Sequence, residues 1–131
     1  MKKLFAIIFL TSGLLMASHS PLTKKLIGVW KIQTMEIKGV KMFHQELGLP
    51  YIEFNDEGGF MVKVSSFAEK GRYSLKGNTV TLKFLYPKKP MQTLVITKLD
   101  DKELDYTTTD STGEVKVTAY RITTGLSGEK D

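Results

Sequence analysis

From residue 28 onward the chain alternates apolar and polar residues in short runs. Nowhere does it carry a helical stretch long enough to bring one strand back parallel to another. That pattern confines the chain to antiparallel β architectures. Eight runs show it: 28–37, 51–55, 60–65, 71–75, 80–85, 93–99, 103–109 and 115–122. In 60–65, Phe60, Val62 and Val64 share one side, and Met61, Lys63 and Ser65 share the other. One apolar and one polar face per strand describes a sheet that is wet on one side. Eight short strands at this spacing fit a barrel or a sandwich, and closing them in an up-and-down barrel removes every sheet edge. The expected fold is all-β, an eight-stranded antiparallel up-and-down barrel. A short helical turn at "PLTKKLIG" precedes it and ends at Gly28. In the first run, Trp30 and Ile32 fall on one parity and Met35 and Ile37 on the other, so a bulge is expected near Gln33–Thr34.

The connections alternate in length. "KGVKMFHQELGLP" (38–50), "SFAEK" (66–70), "YPKKPMQ" (86–92) and "DSTGE" (110–114) are long, whereas "DEGG", "KGNT" and "DDK" are tight turns. In an up-and-down meander, alternate connections lie at the same end. One end is therefore expected to be open and loop-rich, and the other closed.

The first residues, "MKKLFAIIFLTSGLLMASHS", place two lysines before a short, interrupted apolar run and then small residues. This is the layout of a secretory signal, expected over residues 1–18, and the run is short for a membrane span. The domain is then expected over residues 22–123, with 124–131 as a flexible tail. The chain contains no cysteine, which excludes a disulfide framework, a thiolate metal site and lipid attachment at the leader junction. A secreted, periplasmic protein with no membrane span in its mature form is expected. Loss of Lys2 and Lys3 with the leader leaves 17 basic against 14 acidic residues, a net charge of +3. That charge is small and interspersed, which argues against a nucleic-acid partner.

Closing the barrel pairs the last strand with the first. Trp30 opens the first strand at the tight-turn end, and Arg121 nearly ends the last strand there. Both lie on inward faces, so a guanidinium–indole stack across the closed base is expected. The role assigned to Gly28, Trp30 and Arg121 is structural. A helical turn, then Gly28-Val29-Trp30, then an arginine at the end of the last strand resembles the lipocalin pattern. More closely, the chain resembles the short lipocalin-like domains of secreted bacterial proteins. The matching stretches are Leu26 to Lys31, Phe54 to Phe60 with one extra residue in the turn, Gly71 to Ser74, Gly77 to Leu82 and Leu99 to Leu104.

An eight-stranded interior is just wide enough to be filled by side chains or to hold one small ligand. If a pocket exists, it opens at the long-loop end. Its expected lining is Met42, Phe43, Ile52, Val64, Tyr73, Phe84, Tyr86, Leu94, Tyr106, Thr108 and Val117, with 38–50 as a lid carrying Met42, Phe43 and Leu47. An aromatic and aliphatic lining with a few hydroxyls suits a small hydrophobic molecule with one polar end. The alternative is an envelope protein-interaction module with a filled barrel, presenting Phe43, Phe67 and Tyr86 to a partner protein.

Catalysis is not expected. Past residue 20 His44 is the one histidine and is read as an exposed loop residue, and Ser65, Ser66 and Ser74 have no base nearby in the sequence. "NDEGG" and "LDDKELD" lack the ligand spacing of calcium loops and read as hairpin turns. No cofactor or metal is expected.

Overall fold

The computed structural model describes residues 21–111 and 113–122. The expected signal segment and tail lie outside the described residues. A short helix, α1 (Pro21–Leu26), leads into nine strands: β1 (Gly28–Ile37), β2 (Val40–Phe43), β3 (Tyr51–Phe54), β4 (Gly59–Val64), β5 (Phe67–Lys76), β6 (Thr79–Tyr86), β7 (Gln92–Leu99), β8 (Glu103–Asp110) and β9 (Gly113–Ile122). All pair antiparallel. The order is β2-β1-β3-β4-β5-β6-β7-β8-β9, and β1 also pairs with β9. Eight strands, β1 and β3 to β9, therefore close a barrel as the alternation predicted, and β2 is a ninth, added ribbon.

The closure depends on β1 dividing its outer edge. Residues 28–31 pair with β3, while residues 34–37 pair with β2, which folds back through Lys38–Gly39. On its other edge β1 pairs with β9 along its length, with a register shift between Ile32 and Thr34. This is the expected bulge. One extra residue reverses the parity, so Met35 and Ile37 also turn toward the core.

A single apolar cluster fills the inside. Trp30, Phe54, Leu26, Leu82, Leu104, Val80 and Val117 are its largest fully buried members. Phe60 and Phe84 meet edge-to-face at 5.1 Å between ring centres, and Phe54 and Tyr73 at 4.9 Å. Such pairs add about 0.5–1.5 kcal/mol beyond the burial of their area. Gly71 makes the tightest strand approach. A Cβ there would collide with the Lys83 carbonyl oxygen and press on the Phe60 ring.

Two loop expectations are corrected. "SFAEK" is strand, not loop, from Phe67 onward, so β4 and β5 join through Ser65–Ser66 alone. Likewise β8 runs on to Asp110 and β9 begins at Gly113, both inside the stretch read as a loop. Only 38–50 and 87–91 remain long at that end, and the first of these contains β2.

Candidate functional site

The base of the barrel is sealed by one side chain. The Arg121 guanidinium lies with its carbon 4.3 Å from the centre of the Trp30 ring. Its Nε donates to the Asp101 carbonyl at 2.8 Å, its Nη1 to that of Ile27 at 2.7 Å, and its Nη2 to that of Lys25. The Lys25 carbonyl belongs to the last turn of α1, where carbonyls lack partners within the helix. Trp30 ties the same turn from inside, its Nε1 donating to the Leu26 carbonyl at 2.9 Å. Gly28 is required between them. Its φ is 141°, and a Cβ would collide with Arg121 Nη1. The Gly-x-Trp spacing thus leaves room for the arginine and aims the indole beneath it. No ligand is needed to explain these three residues.

That same constellation agrees with a sequence-wide comparison, in which the profile of the lipocalin-like domain family matches residues 26–125. The chain belongs to the lipocalin-like domain family. Among solved structures, it is similar to a lipocalin-like protein from Bacteroides uniformis ATCC 8492. The TM-score is 0.62 at 17% identity, covering 75% of this chain and 99% of that one. It is also similar to a redesigned β-barrel, with a TM-score of 0.54 at 17% identity, covering 80% of this chain and 98% of that one. Among curated proteins none matches. At these identities the structural likeness shows the fold alone.

The lipocalin-like barrel brings together five of the residues expected to line a pocket. Ile52, Phe84, Leu94, Tyr106 and Val117 are all buried in the common core. Burial pushes the Tyr106 phenol far up, so it stays neutral. Val64 is half-buried at the end of β4, and Met42 is half-buried opposite Met35. Thr108 is half-buried, but its hydroxyl already donates to the Thr93 carbonyl at 2.8 Å and accepts from Gln92 Nε2 at 3.1 Å.

Three expected lining residues lie elsewhere. Tyr86 is 74% exposed. A register shift sets Tyr86 opposite Lys70 and Phe84 opposite Gly71, so Leu85 is an extra residue that turns the next side chain outward. Phe43 is 52% exposed, with its amide donating to Glu46 Oε1 at 2.8 Å. Tyr73 points toward the base, where its hydroxyl donates to the Asn55 carbonyl at 2.8 Å. Burial and then the Asp56 charge push its phenol up.

The histidine expectation is overturned. His44 is buried at 7% exposure, and its Nδ1 stands 2.7 Å from the Ile32 carbonyl oxygen. A carbonyl only accepts, so Nδ1 carries the proton. The Ile32 amide meanwhile donates to the Pro50 carbonyl at 3.0 Å. These two bonds serve the point where β1 changes partner from β3 to β2. His44 also meets the Tyr51 ring edge-on at 5.2 Å. The 38–50 segment is therefore anchored into the wall, and its Gly48 carbonyl is held by both the amide and the hydroxyl of Ser65.

At the mouth, the 87–91 connection folds inward. Lys89 Nζ lies 4.7 Å from the centre of the Phe84 ring and pairs with Glu69 Oε2 at 2.9 Å. Both partners retain substantial solvent contact. Exposed pairs of this kind contribute about 0–1 kcal/mol, so the cover is easily lifted. Around it stand exposed apolar side chains. Phe67 is 75% exposed, and Tyr86 and Met91 are similarly open. In the sequence this stretch is "YPKKP", which reads from composition alone as solvated charge.

Proposed function

We propose that this lipocalin-like protein is secreted to the periplasm and binds a small hydrophobic molecule, without catalysis, at the mouth of its barrel. The supporting observation is the contrast between the two ends. The base is locked by Arg121 across Trp30 and α1. The mouth carries Phe67, Tyr86 and Met91 exposed beside a lysine cover held by one solvated ion pair. A hydrophobic guest that lifts Lys89 from Phe84 gains apolar contact with the ring below and loses little in breaking the Lys89–Glu69 pair. In this reading Phe84, Leu94 and Val64 form the floor, and Phe67 and Met91 close over the guest. The test is to purify the mature protein from its host and identify co-extracted small molecules by mass spectrometry, alongside thermal shifts across a panel of apolar probes. A stoichiometric apolar molecule, or a shift abolished by Phe67→Ser, supports the reading. A clean extract with no shift across the panel overturns it.

A second reading is favoured by the aromatic tips themselves. Phe67 and Tyr86 stand above an interior already filled by the Phe60–Phe84 and Phe54–Tyr73 pairs. They suit anchors for an envelope partner protein, since aromatic residues dominate interface centres. Loss of partner binding in Tyr86→Ala with small-molecule binding unchanged would select it.

A further inference from the structure

The outer wall carries a feature that the mouth does not use. A groove of about 340 Å³ crosses the outside of β1, β2, β7, β8 and β9. The outside of a small barrel is ordinarily convex, and two bulges flank this stretch. One is at Gln33 in β1 and the other at Thr97 in β7, where the register with β8 shifts between Ile96 and Lys98. Bulges bend strands and re-aim side chains, and they cluster beside functional sites.

Register arranges the lining in two rows. Thr34 stands opposite Thr118, Thr118 opposite Asp105, and the bulge residue Thr97 beside Asp105. Two residues further along, Lys41 stands opposite Glu36, Glu36 opposite Lys116, and Lys116 opposite Thr107. The first row is short side chains and the second mostly long ones, which makes a trough with a charged wall.

We propose that this groove is a second binding site, for a neutral polyhydroxylated molecule of one or two sugar rings. Three observations converge on that class. Among the described residues, the hydroxyls of Thr34, Thr97 and Thr107 have no protein partner, and a hydroxyl both donates and accepts as a polyol requires. Asp105 Oδ1 is buried with no hydrogen-bond partner, an acceptor that lacks a donor. The charged members balance, Lys41 and Lys116 against Glu36 and Asp105, so neither an anion nor a cation is selected. The threonine methyl groups supply apolar surface for the C–H faces of a ring. The volume lies at the lower end of the range for small-ligand sites.

The test is a titration of the folded protein with maltose, cellobiose and sucrose, followed by amide chemical shifts. Millimolar, saturable shifts are expected at Thr34, Thr97, Asp105, Thr107 and Thr118 for at least one sugar. Thr34→Val and Thr107→Val suit strand positions and should fold, and each should weaken that binding about fivefold by removing a hydroxyl partner. No saturable shift with any of the three sugars overturns the proposal. So do shifts that the valine variants leave unchanged, and so does a groove that responds to acetate or ethylammonium instead.

Discussion

Arg121 lies 4.3 Å from the centre of the Trp30 ring and takes hold of carbonyls 94 and 96 residues earlier in the chain. One side chain at the end of the last strand thus fastens the helix that precedes the first.

Removing that fastening should be costly. Arg121→Ala forfeits three hydrogen bonds to carbonyls and the indole stack, and a loss of about 2–4 kcal/mol is expected in urea unfolding. Lysine should not rescue it, because a single ammonium cannot reproduce the planar fork. Gly28→Ala should destabilise by about 1–3 kcal/mol through its φ and through displacement of the guanidinium. Combined with Arg121→Ala, the cost of Gly28→Ala should shrink, since the group it collides with has gone. Additive losses would contradict this account of the Gly-x-Trp spacing.

Gly71→Ala tests the close strand approach. The added methyl meets the Lys83 carbonyl, which is strand backbone, and the buried Phe60 ring. A loss of about 1–3 kcal/mol is expected by the same denaturation, the usual cost of overpacking. A neutral result would mean that β5 and β6 separate easily there.

His44→Phe keeps a buried ring but removes the donor to the Ile32 carbonyl. It should cost about 1–3 kcal/mol. Amide exchange should accelerate at Ile32, whose amide donates to the Pro50 carbonyl where β1 changes partner, and not around Trp30.

Asp105 makes stability depend on pH. Burial, then the hydrogen bond that its protonated carboxyl donates to the neighbouring Glu103 carboxylate and that neighbour's charge, push its carboxyl up to about 6. The folded protein therefore holds a proton that the unfolded chain has already released. The fold should lose stability as pH rises from the ordinary carboxylate range through about 6. Above that window Asp105 carries an unfavourable buried charge. The partial exposure of the side chain limits the effect to on the order of 1 kcal/mol. Asp105→Asn should be more stable than the wild type at pH 8 and close to it at pH 4, measured by thermal unfolding across that range.

The parts legible in the sequence were those where period two runs unbroken. The parity switch from Trp30 and Ile32 to Met35 and Ile37 revealed the bulge at Gln33, because apolar residues mark both sides of it. The bulge at Leu85 left no such mark. Leu85 and Tyr86 are both apolar in character, so alternation carried Tyr86 inward when the structure turns it out. β2 was missed because Val40–Phe43 lies between a glycine turn and a polar stretch and is too short for its period to register. Burial of His44 depends on a carbonyl freed where β1 changes partner, which is a property of register and not of local sequence. The "SFAEK" stretch read as a loop because at the rim both faces of a strand are wetted, so no alternation is enforced.

The central claim is that binding occurs at the mouth while the base serves folding only. Amide chemical-shift mapping during titration with an apolar fluorescent naphthalene probe tests it most directly. The account predicts saturable shifts at Val64, Phe67, Phe84, Lys89 and Leu94, with Trp30, Arg121 and α1 unmoved. Shifts centred on Trp30 and Arg121, or none at all at saturating probe, would contradict it.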